Sequence, residues 1–103
     1  TEKEQRSRIG ASLASIHLIN HQPQKALAAL QDSLYGENSL MLRMWRNRIA
    51  ARAMLAEGSS DKALQILGQD TSPDAGRIRL EVYWREKDWK KVIESVEEML
   101  KAR

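Results

Sequence analysis

Cysteine is absent from the 103 residues of this chain. Its absence excludes disulfides, thiolate metal sites and cysteine nucleophiles, and it leaves the redox compartment undetermined. No apolar run approaches the ~18 residues that a membrane-spanning helix needs. The N-terminus TEKEQRSR is charged and has none of the apolar residues that a secretory signal requires. We therefore expect a soluble chain and favour the cytoplasm, while the compartment itself stays open.

Recognised catalytic patterns are missing as well. The chain contains no glycine-rich phosphate loop, Ser-x-x-Lys or Gly-x-Ser-x-Gly element. His17 and His21 have the four-residue spacing of paired imidazole ligands, but Pro23 indicates that the helix ends there, and no carboxylate completes a ligand set. Glu94 and Glu97 alternate with lysines, which is typical of a solvated helix face. We predict that the protein is not an enzyme and has no metal site and no cofactor.

The remaining composition is that of an ordinary globular domain. Hydrophobic residues make up 42% and charged residues 30% of the chain, so a folded core is expected, and the length predicts a single domain over residues 1–103. The net charge of +3 permits an acidic partner and does not require nucleic acid. The chain begins with Thr1 rather than Met, so a complete domain and a fragment of a longer chain both stay open.

Apolar periodicity and turn residues predict an all-helical chain without strands. Residues 40–57 are apolar almost all round the helix, which indicates a central helix with neighbours on several sides. A connector that begins at Tyr35 precedes it, and Asn38 or Ser39 is the predicted N-cap. Ser72-Pro73-Asp74 has the pattern of another helix start. The predicted helices span residues 8–20, 23–34, 40–57, 60–67, 73–86 and 89–101.

Every second predicted helix opens with a similar triplet. The triplets are Lys25-Ala26-Leu27, Lys62-Ala63-Leu64 and Lys91-Val92-Ile93, separated by 37 and 29 residues, and their mean spacing is near the ~34 residues of a helix–turn–helix repeat. Twelve residues upstream of the second residue in each triplet lie Ala14, Ala51 and Leu80, where the first helix of a pair approaches its partner. In these positions the chain resembles the tetratricopeptide repeat family. The second unit matches best, through Ala51, Gly58 and Ala63.

The resemblance implies a right-handed superhelical stack of about three helix–turn–helix hairpins. The units would cover residues 6–36, 38–70 and 72–102. The chain departs from the family pattern where Leu80 replaces a small residue, in its uneven spacing, and in the absence of a closing proline from the first unit. A generic array of helical hairpins is the alternative.

In that family, the first helices of the units line a concave groove that holds a peptide or a partner helix. Arginine can form two hydrogen bonds with a carboxylate and tryptophan provides a large apolar contact, so an acidic peptide or helix is the implied ligand. The alternative is that the tryptophans belong to the core and that the arginines are solvated. Ala11 and Ser15 stand where the family's chaperone-tail clamp needs lysine and asparagine, so that activity is not implied. The candidate partner-binding residues are Arg8, Trp45, Arg48, Arg52, Arg77, Glu81 and Trp84.

We therefore predict a non-catalytic protein–protein interaction scaffold. The alternative function is binding of nucleic acid or another polyanion through the Arg43–Arg52 helix. It is less favoured because Arg43 and Arg46 lie more than about 100° around the helix from Arg48 and Arg52, whereas a phosphate-tracking surface needs its cations together. In the last unit, the large apolar residues Ile93 and Leu100 precede no further helix, which predicts a homodimer contact or further repeats.

Overall fold

The computed structural model describes residues 1–34 and 36–101, and these residues form six α-helices and no strand. The helices are α1 (Glu2–Ile19), α2 (Pro23–Asp32), α3 (Leu40–Ala56), α4 (Ser60–Leu67), α5 (Pro73–Arg85) and α6 (Trp89–Lys101). Tyr35 of the predicted connector, Ala102 at the end of the third predicted unit, and Arg103 lie outside the described residues. The prediction of an all-helical chain is confirmed.

Serine and threonine side chains determine where several helices begin. α1 starts at Glu2, six residues before the predicted start, because the Thr1 hydroxyl accepts a hydrogen bond from the Glu4 N–H at 3.1 Å and the acidic first turn suits the helix dipole. Ser39 caps α3 and Ser72 caps α5 in the same way, each with a hydroxyl-to-amide distance of 3.2 Å. The predicted helix start at Ser72 is confirmed.

Consecutive helices pair into three hairpins, α1 with α2, α3 with α4, and α5 with α6. We refer to α1, α3 and α5 as the first helices and to α2, α4 and α6 as the second helices. α3 packs against four other helices, whereas α6 packs against α5 alone among the described elements. The predicted central position of α3 is therefore confirmed. None of the described helices has the length and apolar character that crossing a membrane requires.

Two separate apolar clusters lie on opposite sides of α3. The N-terminal core contains Ala11, Ala14, Ala26, Leu30, Ile49 and Ala53, and the C-terminal core contains Ala51, Leu55, Ala63, Leu67, Ala75, Ile78 and Val82. Ala51 and Ala63, which the repeat pattern places at small-residue positions, are both fully buried in the C-terminal core. Small residues at these positions allow the helices of a hairpin to approach closely.

α1 approaches the end of α2 closely at Gly10. A Cβ atom at Gly10 would lie 1.8 Å from the Ser33 Oγ and 2.0 Å from the Ser33 Cβ, far inside the distance that two carbon atoms tolerate. Only glycine fits here without movement of a helix. No local sequence pattern distinguishes Gly10 from other helix residues.

Candidate functional site

A groove runs along the first helices of the three hairpins. A hollow of about 210 Å³ is lined by Ser15, Leu18 and Ile19 of α1, by Trp45, Arg48, Ile49 and Arg52 of α3, and by Asp74 of α5. A second hollow of about 200 Å³ is lined by Leu18, Arg52, Leu55, Ala56, Glu81 and Arg85. The two hollows share Leu18 and Arg52, so we treat them as one surface and call it the first-helix groove.

The α3 side of the groove follows directly from helical periodicity. Trp45, Arg48, Ile49 and Arg52 are at positions i, i+3, i+4 and i+7, which form one stripe along a helix. Arg46, Ala50 and Ala53 form a second stripe that contacts the first hairpin, and Trp45 and Ile49 of the groove stripe also pack in the N-terminal core. One helix therefore contributes both to the core and to the groove.

Trp45 is at once a core residue and a groove residue. Its side chain is partly buried and packs against the N-terminal core, while it also lines the first hollow. The two interpretations of this tryptophan in the sequence are therefore compatible. Packing on the core holds the indole in place, which lowers the entropy that a ligand would lose on contacting it.

Arg48 is held by the turn that precedes α5. Its Nη1 donates to the Asp70 Oδ2 at 2.7 Å and to the Ser72 Oγ at 3.3 Å. The side chains of Arg48 and Asp70 are only 18% and 4% exposed. The Asp70 Oδ1 also accepts the Ser72 N–H at 2.9 Å. This carboxylate therefore fixes the turn and the groove arginine together.

The pKa of Asp70 lies below its ordinary value. Burial raises this pKa, but the hydrogen bond from the Ser72 N–H and the interaction with the Arg48 guanidinium outweigh burial and lower it overall. The Asp70 carboxylate is consequently ionised at neutral pH. Because the folded-state pKa is depressed, its stabilising contribution is complete above an unfolded-state pKa of about 3.9 and is lost as the pH falls through the folded-state pKa.

A second carboxylate, Asp74, is shared by three arginines. Arg52 Nη2 lies 2.6 Å from Asp74 Oδ1, Arg48 Nε lies 3.7 Å from Asp74 Oδ2, and Arg77 Nη1 lies 3.8 Å from Asp74 Oδ1. The sequence patterns predicted these arginines as groove residues, but they did not identify Asp70 and Asp74 as their partners. Two internal carboxylates therefore offset most of the positive charge expected for the groove.

The other predicted binding residues occupy different places. Glu81 lines the second hollow and pairs with Arg85 at 3.1 Å. Trp84 is 61% exposed and stacks edge-to-face with Trp89, with ring centroids 5.3 Å apart. Arg8 is exposed, and its Nη2 lies 3.8 Å from Glu4 Oε1. Arg8, Arg77 and Trp84 line neither hollow, and their roles in binding stay predictions.

Arg46 does not join Arg43, Arg48 and Arg52 in a basic surface. It is 7% exposed and donates to the Ser7 carbonyl at 2.6 Å, to the Ser33 Oγ at 3.2 Å and to the Leu30 carbonyl. Burial lowers its pKa, although a guanidinium stays protonated at neutral pH. With Arg46 buried and Arg48 paired to Asp70, the arginines proposed to bind a polyanion do not share one accessible face.

Arginines also bind the C-terminal ends of earlier helices. Arg46 donates to the last turn of α2, Arg79 donates to the Gly68 carbonyl after α4 at 2.9 Å, and Arg85 donates to the Leu55 carbonyl of α3 at 2.7 Å. Carbonyl groups at a helix C-terminus lack intrahelical partners and carry partial negative charge, so a guanidinium stabilises them. These contacts hold the first helices, and with them the groove, in position.

The described residues contain no cluster of three histidine, aspartate or glutamate side chains that could hold a metal ion. The groove is a mostly apolar hollow with arginine–aspartate pairs at one edge. Its ligand has to be inferred from this geometry. No protein-family model, curated protein or solved structure matches the chain.

Proposed function

We propose that this chain is a non-catalytic interaction module that holds a helix or extended peptide of a partner protein in the first-helix groove. The observation that carries the proposal is that Trp45, Arg48 and Arg52 line one hollow together with residues of α1 and α5. Rigid aromatic and arginine side chains beside an apolar wall are typical of binding hot spots.

We propose further that the three hairpins form a right-handed, tetratricopeptide-like stack. Two observations support this arrangement. Consecutive helices pair, and each second helix that has a successor packs against the next first helix. Alanines 37 residues apart, Ala14 with Ala51 and Ala26 with Ala63, are all fully buried, as the repeat register requires.

The size of the groove favours a peptide side chain over a small-molecule cofactor. Pockets for drug-sized ligands and cofactors usually enclose about 300–1,000 Å³, and the first hollow is smaller, at about 210 Å³. Ile19 at one wall is 79% exposed, so apolar surface is available for contact. The best ligand is therefore a segment that inserts one large apolar side chain beside Trp45 and Ile19.

An acidic residue in the same ligand would face Arg52 and Arg77. The Arg52–Asp74 pair is partly exposed, with side chains 38% and 44% accessible, and such pairs contribute only about 0–1 kcal/mol. A ligand carboxylate can therefore take the place of Asp74 at little cost. We expect binding to weaken as salt concentration rises, because the contact is accessible to counterions.

The test begins with peptides selected from a random display library on the intact chain. The dissociation constant of a selected peptide is then measured for the wild type, for Arg52→Glu and for Arg43→Glu. Arg43 is the matched control because it is an exposed arginine on α3 that lies outside the groove. We expect Arg52→Glu to weaken binding about tenfold or more, with Arg43→Glu close to the wild type and circular dichroism unchanged. Equal affinity for all three proteins would overturn the proposal.

A further inference from the structure

The first helix exposes its large apolar residues and buries its small ones. Ile9, Leu13 and Ile16 are 69%, 46% and 60% exposed and form a stripe at i, i+4 and i+7, which we call the α1 stripe. The residues of α1 that are buried are Ser7, Gly10, Ala11 and Ala14. A helix in this arrangement presents an apolar face to solvent opposite its packing face.

The last helix shows a matching feature at the other end of the molecule. Trp89, Ile93, Val96 and Leu100 are 49%, 57%, 40% and 59% exposed and follow one another at spacings of four, three and four residues. We call this set the α6 stripe. Val92 is the buried residue of α6, because this helix packs on α5 alone among the described elements.

The internal repeat shows which residues of α3 correspond to the α1 stripe, and the structure shows what those residues contact. The residues of α3 that lie 37 positions after Ile9, Leu13 and Ile16 are Arg46, Ala50 and Ala53. Arg46 binds the Leu30 carbonyl of α2, and Ala50 and Ala53 pack in the N-terminal core. The α1 stripe is therefore the face with which a first helix receives the second helix of a preceding hairpin.

The equivalents of the two central residues of the α6 stripe, Ile93 and Val96, are covered in the complementary way. Leu64 and Leu67 lie 29 positions before Ile93 and Val96, and both pack in the C-terminal core with Ile78 of α5. The α6 stripe is therefore the face with which a second helix meets the first helix that follows it. The α1 stripe and the α6 stripe are therefore the two complementary sides of a contact that the chain already makes between its own hairpins.

We propose that the two stripes bind each other between copies of this chain. The α6 stripe of one copy docks on the α1 stripe of the next, repeating the contact that α2 makes with α3. Spacings of four and three residues on both helices suit the interdigitation of side chains between paired helices. Because the two surfaces differ, the contact is heterologous, and copies add head to tail in an open row.

The packing inside the chain favours this occupant over a symmetric pairing of two α6 helices. Second helices contact the first helix that follows them at both internal junctions, α2 with α3 and α4 with α5. No second helix packs against another second helix among the described elements. The stripes also share no residue with the first-helix groove, so self-association and peptide binding can be tested, and can fail, separately.

The test uses one variant to block each end, Leu13→Glu for the α1 stripe and Ile93→Glu for the α6 stripe. Molar mass is measured by sedimentation or light scattering over a range of protein concentrations. We expect the mass of the wild type to rise with concentration without a fixed limit. Each variant alone stays monomeric, while their equimolar mixture forms a one-to-one dimer and stops, because only one compatible pair of ends remains.

Every other pattern overturns the proposal. A dimer of Leu13→Glu alone would show pairing of two α6 stripes, and a dimer of Ile93→Glu alone would show pairing of two α1 stripes. A wild type that is monomeric at all concentrations, or a mixture that stays monomeric, would show that the stripes do not bind each other.

Met41→Glu is the control, since Met41 is 82% exposed outside both stripes, and we expect it to associate like the wild type. Circular dichroism checks that all variants are folded.

Discussion

The two sides of α3 are joined to their neighbouring hairpins by different chemistry. On the side of the first hairpin, Arg46 donates to neutral oxygens, and Gly10 lies against the same Ser33 whose hydroxyl Arg46 contacts. On the side of the third hairpin, Arg48 and Arg52 pair with the carboxylates of Asp70 and Asp74. One junction depends on close packing and hydrogen bonds to neutral groups, and the other depends on ionised pairs.

This difference explains why the charged groups that a ligand can reach lie at the α5 edge of the groove. Arg46 is part of the structural core because its buried guanidinium donates hydrogen bonds to Ser7, Leu30 and Ser33. Arg52 is partly exposed and its partner Asp74 is 44% accessible, so a ligand can exchange with that partner. The tightly packed side therefore supports the groove, and the ionic side offers the groups that a ligand can reach.

The largest effect is expected at the neutral junction. Replacing Arg46 by Met keeps an unbranched apolar stem but removes the donors to the Ser7 and Leu30 carbonyls. Losing these buried hydrogen bonds from a charged donor should lower the free energy of unfolding by about 3 kcal/mol. Urea denaturation measures this loss, and Arg43→Met on the exposed face of α3 is the control, expected within about 0.5 kcal/mol of the wild type. Similar losses for both variants would contradict the account of this junction.

The next effect separates two glycines at equivalent repeat positions, Gly10 and Gly76, which are 66 residues apart. Gly10→Ala would place a methyl group 1.8 Å from the Ser33 Oγ, and we expect a loss of about 2 kcal/mol from overpacking. A Cβ at Gly76 meets only the flexible end of Met99, at 3.7 Å, so Gly76→Ala should stabilise the helix by about 0.5–1 kcal/mol. Thermal melts measure the direction in which the melting temperature changes for each variant. A shift in the same direction for both variants would contradict the predicted difference.

A smaller effect should distinguish the ionic junction by its pH dependence. Asp70→Asn keeps an acceptor for the Ser72 N–H but removes the charge that Arg48 pairs with, and we expect a loss of about 1 kcal/mol at pH 7. Because the pKa of Asp70 is depressed in the folded state, this difference from the wild type should persist down to about pH 4 and shrink at lower pH. Urea midpoints measured from pH 7 to pH 2 test this, and a pH-independent difference would argue against the pair.

Some of these features could be predicted from the sequence because they depend on local rules. Pro23 and the serine caps at Ser39 and Ser72 predict where α2, α3 and α5 begin. The stripe of Trp45, Arg48 and Arg52 follows from helical spacing alone. The start of α1 was predicted too late because its first turns are charged and show no apolar periodicity, and the Thr1 cap is the local signal that would have corrected it.

Other features depend on contacts between distant residues and have no local signal. The acceptors of Arg46 lie 39 and 16 residues away, at Ser7 and Leu30. Helical spacing places Arg46 and Arg48 on different faces, but nothing in the neighbouring sequence indicates that Arg46 is the buried one. Asp70 and Asp74 look like ordinary turn and helix-start residues until the turn brings them against α3. The closeness of Gly10 to Ser33 likewise depends on how two helices cross.

The central claim is that the first-helix groove is the binding surface, and the three tryptophans allow one direct measurement of it. The indole N–H signals of Trp45, Trp84 and Trp89 can be followed in a two-dimensional NMR titration with a selected peptide, each signal assigned by a Trp→Phe variant. Trp45 lines the groove, whereas Trp84 and Trp89 stack on each other outside it. We expect the Trp45 signal to shift with peptide concentration while the other two stay in place. Shifts at Trp84 and Trp89 with Trp45 unchanged would contradict the claim.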